Sequence, residues 1–278
     1  MGAPRFIRNG GVQIEYEWLG PRGPAQDVPP IVFLHEGLGS ISLWRDFPQA
    51  LVDLVGATGL VYSRQGYGRS DPLQAPRTPR YMHTEALERL PQLLDELRVQ
   101  SPLLLGHSDG ASIALIHAGG ARRPVSGVIA MAPHVMVEQV SIDSITAARQ
   151  AYLDTDLRAR LGRHHADPDA AFWGWNDIWL HADFRAWNIE EYLPNIAAPV
   201  LAIQGLDDEY GTLEQIRSIA RRARRVQLLE LPDCGHSPQR DQNAAVLAAA
   251  ASFIRSLPGS NSRASTSLSG AGRPSSNP

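Results

Sequence analysis

The chain predicts an α/β fold, a mostly parallel sheet flanked by helices and interrupted by an inserted helical cap. Three observations lead there. Short unbroken apolar runs at Ile31–Leu34, Leu60–Tyr62, Leu103–Leu105, Val128–Met131 and, up to its final Gln204, Pro199–Gln204 have the composition of strands buried on both faces, and Val226–Leu231 reads as the last strand. Amphipathic segments of helical length alternate with them, the rhythm of parallel strands joined by crossover helices. From His134 to Leu193 that rhythm stops and no strand-like run occurs. The expected organisation is a core of residues 1–133 and 194–257, a helical cap at 134–193 and a tail at 258–278. The 278 residues fit one α/β domain carrying an insertion.

In chain order, Val12–Leu19 alternates apolar and polar residues, as a half-buried antiparallel strand does, and the sheet is expected to begin there. A turn-rich stretch leads to the strand Ile31–Leu34, which ends in His35-Glu36-Gly37-Leu38-Gly39. Leu43, Phe47, Leu51 and Leu54 fall on one face of a helix running from Leu43 to Val55. After Leu60–Tyr62, the glycine-punctuated Ser63–Ser70 reads as a structural turn; its Gly-x-Gly has no Gly-Lys-Ser/Thr sequel and is no phosphate loop. Thr84 is a plausible cap for a helix over Glu85–Arg98, which Pro91 is expected to bend. Within the cap, helices are expected at Ser144–Ala151, Asp156–His164 and Asp169–Leu180, and four of the six tryptophans fall in this insertion. Helices at Thr212–Arg222 and Gln242–Ser256 close the core. The tail, rich in Ser, Gly, Asn and Pro, has little to bury and is expected to be disordered.

Composition narrows the function. Apolar residues make up 43% and charged residues 20% of the chain, a globular balance. All 26 basic residues are arginine, and the net charge of −3 gives no reason to expect nucleic acid as a partner. The one basic cluster, Arg221, Arg222, Arg224 and Arg225, ends a predicted helix, where cations suit the dipole and a solvated face. The single cysteine, Cys234, excludes an internal disulfide; with no signal-like start, a cytoplasmic location is expected. No apolar run reaches the roughly 18 residues of a membrane span. His164, His165 and His181 lack metal-ligand spacing, so neither a metal nor a cofactor is expected, and the expected partner is a small-molecule substrate.

Chemistry concentrates at Gly106-His107-Ser108-Asp109-Gly110, between the strand Leu103–Leu105 and an Ala/Ile/Leu-rich helix. Gly-x-Ser-x-Gly also occurs in ordinary loops, but a strand–turn–helix setting holds the serine in a strained conformation with its hydroxyl clear of the sheet edge. Ser108 is therefore the candidate nucleophile. The turn after Leu34 can aim the N–H of Gly37 or Leu38 into the same cleft, with the N–H of Asp109 as the second half of an oxyanion hole. Glu36 either orients a neighbouring loop or faces solvent.

Serine, then an acid after a later strand, then histidine after the last strand resembles the α/β-hydrolase superfamily in chain order. The resemblance covers about residues 5–257 and rests on His35-Glu-Gly-Leu-Gly39, Gly66-Tyr-Gly-Arg-Ser70, Gly106-His-Ser-Asp-Gly110, Gly205-Leu-Asp-Asp208 and Gly235-His236. It implies the α/β-hydrolase fold and a triad in which His236 accepts the Ser108 proton and an ionised carboxylate orients the imidazole. The family's spacing picks Asp208 as the acid, with Asp207 as the alternative. The chain departs from the family at Glu36, where a glycine is usual, and at Ser63, where an aspartate is frequent. Serine at the elbow disfavours dehalogenases and epoxide hydrolases, which carry aspartate there. His107, in place of the asparagine common in carbon–carbon bond hydrolases, puts ester hydrolysis ahead of cleavage of ring-fission dienoates. Amide and lactone cleavage stay open, as do the receptors and cofactorless oxygenases that share the fold. A pocket is expected from His35, Glu36 and His107, with Trp173, Trp175 and Trp179 of the cap supplying an apolar wall.

Overall fold

Eight strands form one sheet in the order β1-β2-β4-β3-β5-β6-β7-β8 in a computed structural model that describes residues 5–20 and 28–258. The strands are β1 (Arg5–Asn9), β2 (Val12–Leu19), β3 (Ile31–Leu34), β4 (Gly59–Tyr62), β5 (Leu103–His107), β6 (Gly127–Met131), β7 (Val200–Gly205) and β8 (Val226–Leu231). β1 and β2 form an antiparallel hairpin and β2 runs antiparallel to β4, while every pairing from β4 to β8 is parallel. β1 was not anticipated, because Phe6 is exposed and Arg5 and Arg8 leave the strand no apolar face to read. It is an edge strand stabilised by its partner rather than by burial.

The parallel strands other than the edge strand β8 are buried on both sides, and their two-residue period sorts the core into two halves. Val32, Leu34, Leu104, Val128 and Val200 face one helical layer. Ile31, Phe33, Leu105, Ile129 and Ile203 face the other. Each such side chain contributes about 1.5–3 kcal/mol when fully buried. The second face is covered by α1 (Phe47–Val55), through Leu51 and Val52, and by the last helix. The first face is covered by α2 (Tyr81–Thr84), α3 (Leu90–Glu96) and α4 (Asp109–Gly120). α4 is buried from Asp109 to His117, as a helix apolar on all sides must be.

Between β6 and β7 run α5 (Gln139–Asp154), α6 (Leu157–Leu161) and α7 (Pro168–Trp179), followed by two 3-10 turns at Ala182–Ala186 and Glu190–Asn195. α8 (Glu214–Arg222) joins β7 to β8, and α9 (Pro238–Asp241) precedes α10 (Asn243–Ser256). At the end of α8, Arg221 pairs with Glu214 and Arg222 with Glu190, consistent with a solvated charged face. Among the described residues no helix is long and apolar enough to cross a membrane. The expected disorder of the tail falls, beyond Pro258, outside the described residues.

Three helix expectations need correction. The segment from Leu43 is a 3-10 turn, Ile41–Trp44, separated from α1 by Arg45 at φ 54°. Thr84 is not a cap; it is already helical at φ −60° and ψ −44°, inside a helical run that begins at Tyr81. Pro91 does not simply bend that run. A π-helical turn, Glu85–Arg89, precedes α3, where proline can occupy the first turn despite its missing N–H.

Candidate active site

Every loop that the sequence marked as chemical leaves the carboxyl end of a parallel strand, so all converge on one sheet edge. The turn after β5 is the tightest. Ser108 has φ 52° and ψ −120°, a backbone conformation that costs a non-glycine residue about 1–3 kcal/mol. Close packing enforces it. A Cβ on Gly110 would lie 2.0 Å from the Leu34 carbonyl oxygen, and one on Gly106 would lie 2.3 Å from that of Gly110. The Ser108 N–H is fixed by the Met131 carbonyl at 2.9 Å, and its own carbonyl accepts the N–H groups of Ala111 and Ser112 at the start of α4.

Ser108 Oγ lies 2.9 Å from His236 Nε2, and His236 Nδ1 lies 2.8 Å from Asp208 Oδ1. Asp208, not Asp207, meets the imidazole. Its side chain is 1% exposed and is held by the Tyr210 N–H at 2.9 Å and the Gln204 amide at 3.2 Å. Burial pushes the Asp208 carboxyl up, but the hydrogen bond and charge of His236 outweigh it and keep the group below its ordinary range. His236 is braced from behind: its N–H donates to Glu209 at 3.1 Å and its carbonyl accepts from His107 Nε2 at 2.6 Å. The His107 bond fixes a proton on Nε2, because a carbonyl can only accept.

The turn after β3 faces the serine. Gly37 and Leu38 N–H groups have no acceptor among the described residues, nor has the Asp109 N–H at the start of α4. Three unspent donors are thus available at the positions expected for an oxyanion hole. The loop is held by the buried Arg64, whose guanidinium donates to the His35 and Glu36 carbonyls. His165 reaches over from the inserted segment, accepting the Gly68 N–H at Nδ1 and donating from Nε2 to the Leu38 carbonyl at 2.9 Å. Glu36, left open from sequence, lies 3.5 Å from His107 Nδ1. Burial raises its pKa, but His107 more than compensates, and the carboxyl is brought down to about 2. Where the family often has aspartate, Ser63 Oγ instead donates to Glu15 at 2.9 Å, so Glu15 supplies the carboxylate from β2.

A cavity of about 250 Å³ opens above the nucleophile. Glu36, Gly37, Leu38, His107, Trp175 and Trp179 line it with Ser108 and His236. His35 does not, although it was expected to: its ring is fully buried between the Glu36 carbonyl and the Arg64 N–H. Trp173 is also misplaced by the sequence reading; it packs on Tyr152 and Phe172 with Arg149 over its ring. Asp109 keeps its side chain out of the cavity, fully buried and accepting the Tyr81 hydroxyl at 2.6 Å. Six lining residues were missed: His134, Ile145, Glu209, Tyr210, Ser237 and Arg240. Position alone could have flagged His134, which lies in the loop after β6 at the same sheet edge. Among the described residues no group of His, Cys, Asp and Glu side chains could hold a metal ion.

Known proteins resemble this chain in sequence and in shape. The sequence model described as "Alpha/beta hydrolase family" matches residues 31–250. A curated relative, the sn-1-specific diacylglycerol lipase of Danio rerio, is 29% identical over 107 residues, which is 38% of this chain and 31% of that protein. The matched part thus spans about a third of that relative's length. Among solved structures, the proline iminopeptidase of Mycobacterium smegmatis superposes with a TM-score of 0.73 at 19% identity, covering 91% of this chain and 98% of that one. An enol-lactonase from Burkholderia xenovorans gives a TM-score of 0.72 at 19% identity over 90% and 99% of the two chains. A meta-cleavage product hydrolase from Pseudomonas fluorescens gives 0.67 at 17% identity over 90% and 97%. At such identities the structures share a fold with this chain.

Proposed function

The chain belongs to the alpha/beta hydrolase family, and from that membership we propose that it is a serine hydrolase cleaving the carboxylic ester bond of a small, partly apolar substrate through an acyl-enzyme. The observation that carries the proposal is the unbroken line from Ser108 Oγ through His236 to Asp208, with bonds of 2.9 and 2.8 Å. In the first half-reaction Ser108 Oγ attacks the ester carbon and passes its proton to His236 Nε2. The tetrahedral oxyanion takes the Asp109 N–H and that of Gly37 or Leu38, each donor lowering the barrier by about 3 kcal/mol. Collapse breaks the bond to the alcohol oxygen, which leaves with the proton from His236. Water then repeats the sequence on the acyl-serine, yielding the carboxylic acid and restoring Ser108. Asp208 holds Nδ1–H and stabilises the imidazolium in both halves.

The cavity supports the substrate class. Leu38, Ile145, Trp175 and Trp179 give it an apolar wall, and the helices between β6 and β7 act as the cap that brings most of these residues over the sheet edge. Its volume of about 250 Å³ suits a small acyl ester. Turnover of a short-chain nitrophenyl ester tests the proposal. Ser108→Ala and His236→Ala are each expected to abolish it; unchanged turnover in both would overturn the assignment. Ring-fission dienoates assayed beside the ester, with the same two variants, distinguish carbon–carbon hydrolysis by the same triad.

A further inference from the structure

One imidazole in the cavity has no task in ester hydrolysis by the triad. His134 lines the space above Ser108, is 2% exposed, and stands edge-on to Trp179 at 4.9 Å and 5.6 Å from the His236 ring. Its backbone is locked to the nucleophile's own helix. Ser112, one turn after Ser108 on α4, donates to the His134 carbonyl at 2.6 Å and accepts its N–H at 3.1 Å. The ring itself makes no hydrogen bond with any described residue, and Nδ1 is buried without a partner.

We infer that His134 is a substrate-binding donor, presenting Nε2–H to the cavity and selecting esters that carry an acceptor oxygen (keto, hydroxyl or ether) beyond the scissile carbonyl. This rests on the reading of the cavity as a serine esterase site. The tautomer follows from burial. A neutral imidazole carries one N–H, and an orphaned buried N–H is rarer than an orphaned lone pair, so the proton belongs on the nitrogen that can meet substrate or water. Since Nδ1 is enclosed, that nitrogen is Nε2. Burial, reinforced by the neighbouring His236, holds the His134 pKa near 3, so the ring stays neutral and does not compete with His236 as the base. The same cavity holds Trp179, Trp175 and Ile145, which offer a ligand contact area but no acceptor, beside the polar Tyr210, Ser237 and Arg240. A donor fixed in this way orients a ligand, and a substrate lacking the matching oxygen leaves it unpaired once water is expelled.

Two shape-matched ester pairs test this by kcat/KM: ethyl acetoacetate against ethyl isovalerate, and methoxyethyl butyrate against butyl butyrate. The first places the oxygen on the acyl side, the second on the alcohol side. The wild-type protein is expected to favour the oxygen-bearing member of at least one pair by about tenfold or more. His134→Phe is expected to shrink that preference to within about twofold, and His134→Leu is read in the same way should the phenylalanine variant not fold. No preference in either pair, or one that survives both substitutions, would overturn the inference. Ser108→Ala separates the two readings, since loss of all turnover supports the esterase assignment whatever the preference. Should the wild type hydrolyse none of these esters, that assignment fails, and tryptophan-fluorescence titration with acetoacetate and isovalerate decides the inference alone. Tighter acetoacetate binding that disappears in the His134 variants supports it, and equal binding of the two acids by the wild type overturns it.

Discussion

Replacing Asp208 by asparagine removes one charge and keeps the shape, so its effect can be followed atom by atom. Oδ1 accepts both the His236 Nδ1–H and the Tyr210 N–H, and Oδ2 accepts the Gln204 amide. If the new amide puts its oxygen at Oδ1, its NH2 group confronts Gln204 Nε2, itself committed to the Gly211 carbonyl at 2.8 Å. If it puts NH2 at Oδ1, that group faces the Tyr210 N–H and drives His236 to the tautomer protonated on Nε2, which cannot take the Ser108 proton. Neither orientation leaves an anion beside the imidazolium. The expected loss is ~10⁴-fold in kcat, about 5.5 kcal/mol of barrier, measured on a short-chain nitrophenyl ester with little change in KM. Asp207→Asn is the control: the residue is exposed, and only its backbone N–H is engaged, by the Cys234 carbonyl. Its kcat is expected to stay within about twofold of wild type, in the range of surface substitutions. A larger loss in Asp207→Asn than in Asp208→Asn would refute the assignment.

Other perturbations test the scaffold around the triad. A Cβ on Gly37 would meet the Trp175 indole Nε1 at 2.2 Å, and Trp175 is 7% exposed on α7. Gly37→Ala is therefore expected to cost about 1–3 kcal/mol of stability and to lower kcat by moving a candidate oxyanion donor; denaturant unfolding and ester kinetics read the two effects. Ser112→Ala orphans both backbone groups of His134 and is expected to cost about 2–3 kcal/mol, a Tm fall of roughly 4–12 °C by calorimetry. The low pKa of His134 makes stability depend on pH. The unfolded chain takes up a proton at this residue below about 6.5 and the folded chain only near 3, so acidification across that window favours unfolding. At the lower end this amounts to roughly 4–5 kcal/mol. His134→Gln, which cannot be protonated, is expected to close part of its stability gap to wild type as pH falls through the window, seen as converging denaturation midpoints. A gap independent of pH would refute it.

Much of the sheet was readable because the inner parallel strands are apolar on both faces, as at Ile31–Leu34, and the edge strand Val226–Leu231 was still located to the residue. β1 was not, since a strand held by one neighbour at the sheet edge needs no apolar pattern. The triad candidates were legible because each stands by a glycine-bearing turn, and close packing against backbone forces the glycines at Gly106, Gly110 and Gly205. Trp173 was grouped with Trp175 and Trp179, yet the latter two are one helical turn apart on a single face of α7 while Trp173 points elsewhere. Helical spacing alone could have separated them. The role of Glu15 beside Ser63 was invisible, because it depends on a contact 48 residues away along the chain. His134 was likewise hidden: its environment is assembled from α4, α7 and the loop after β8, which meet only in the folded chain.

The most direct test of the nucleophile is covalent. Incubation with a serine-reactive fluorophosphonate, followed by intact-mass and peptide mass spectrometry, is expected to give one adduct on Ser108, lost in Ser108→Ala and strongly slowed in His236→Ala. No adduct on the wild-type protein, or an adduct on a different residue, would contradict the serine mechanism.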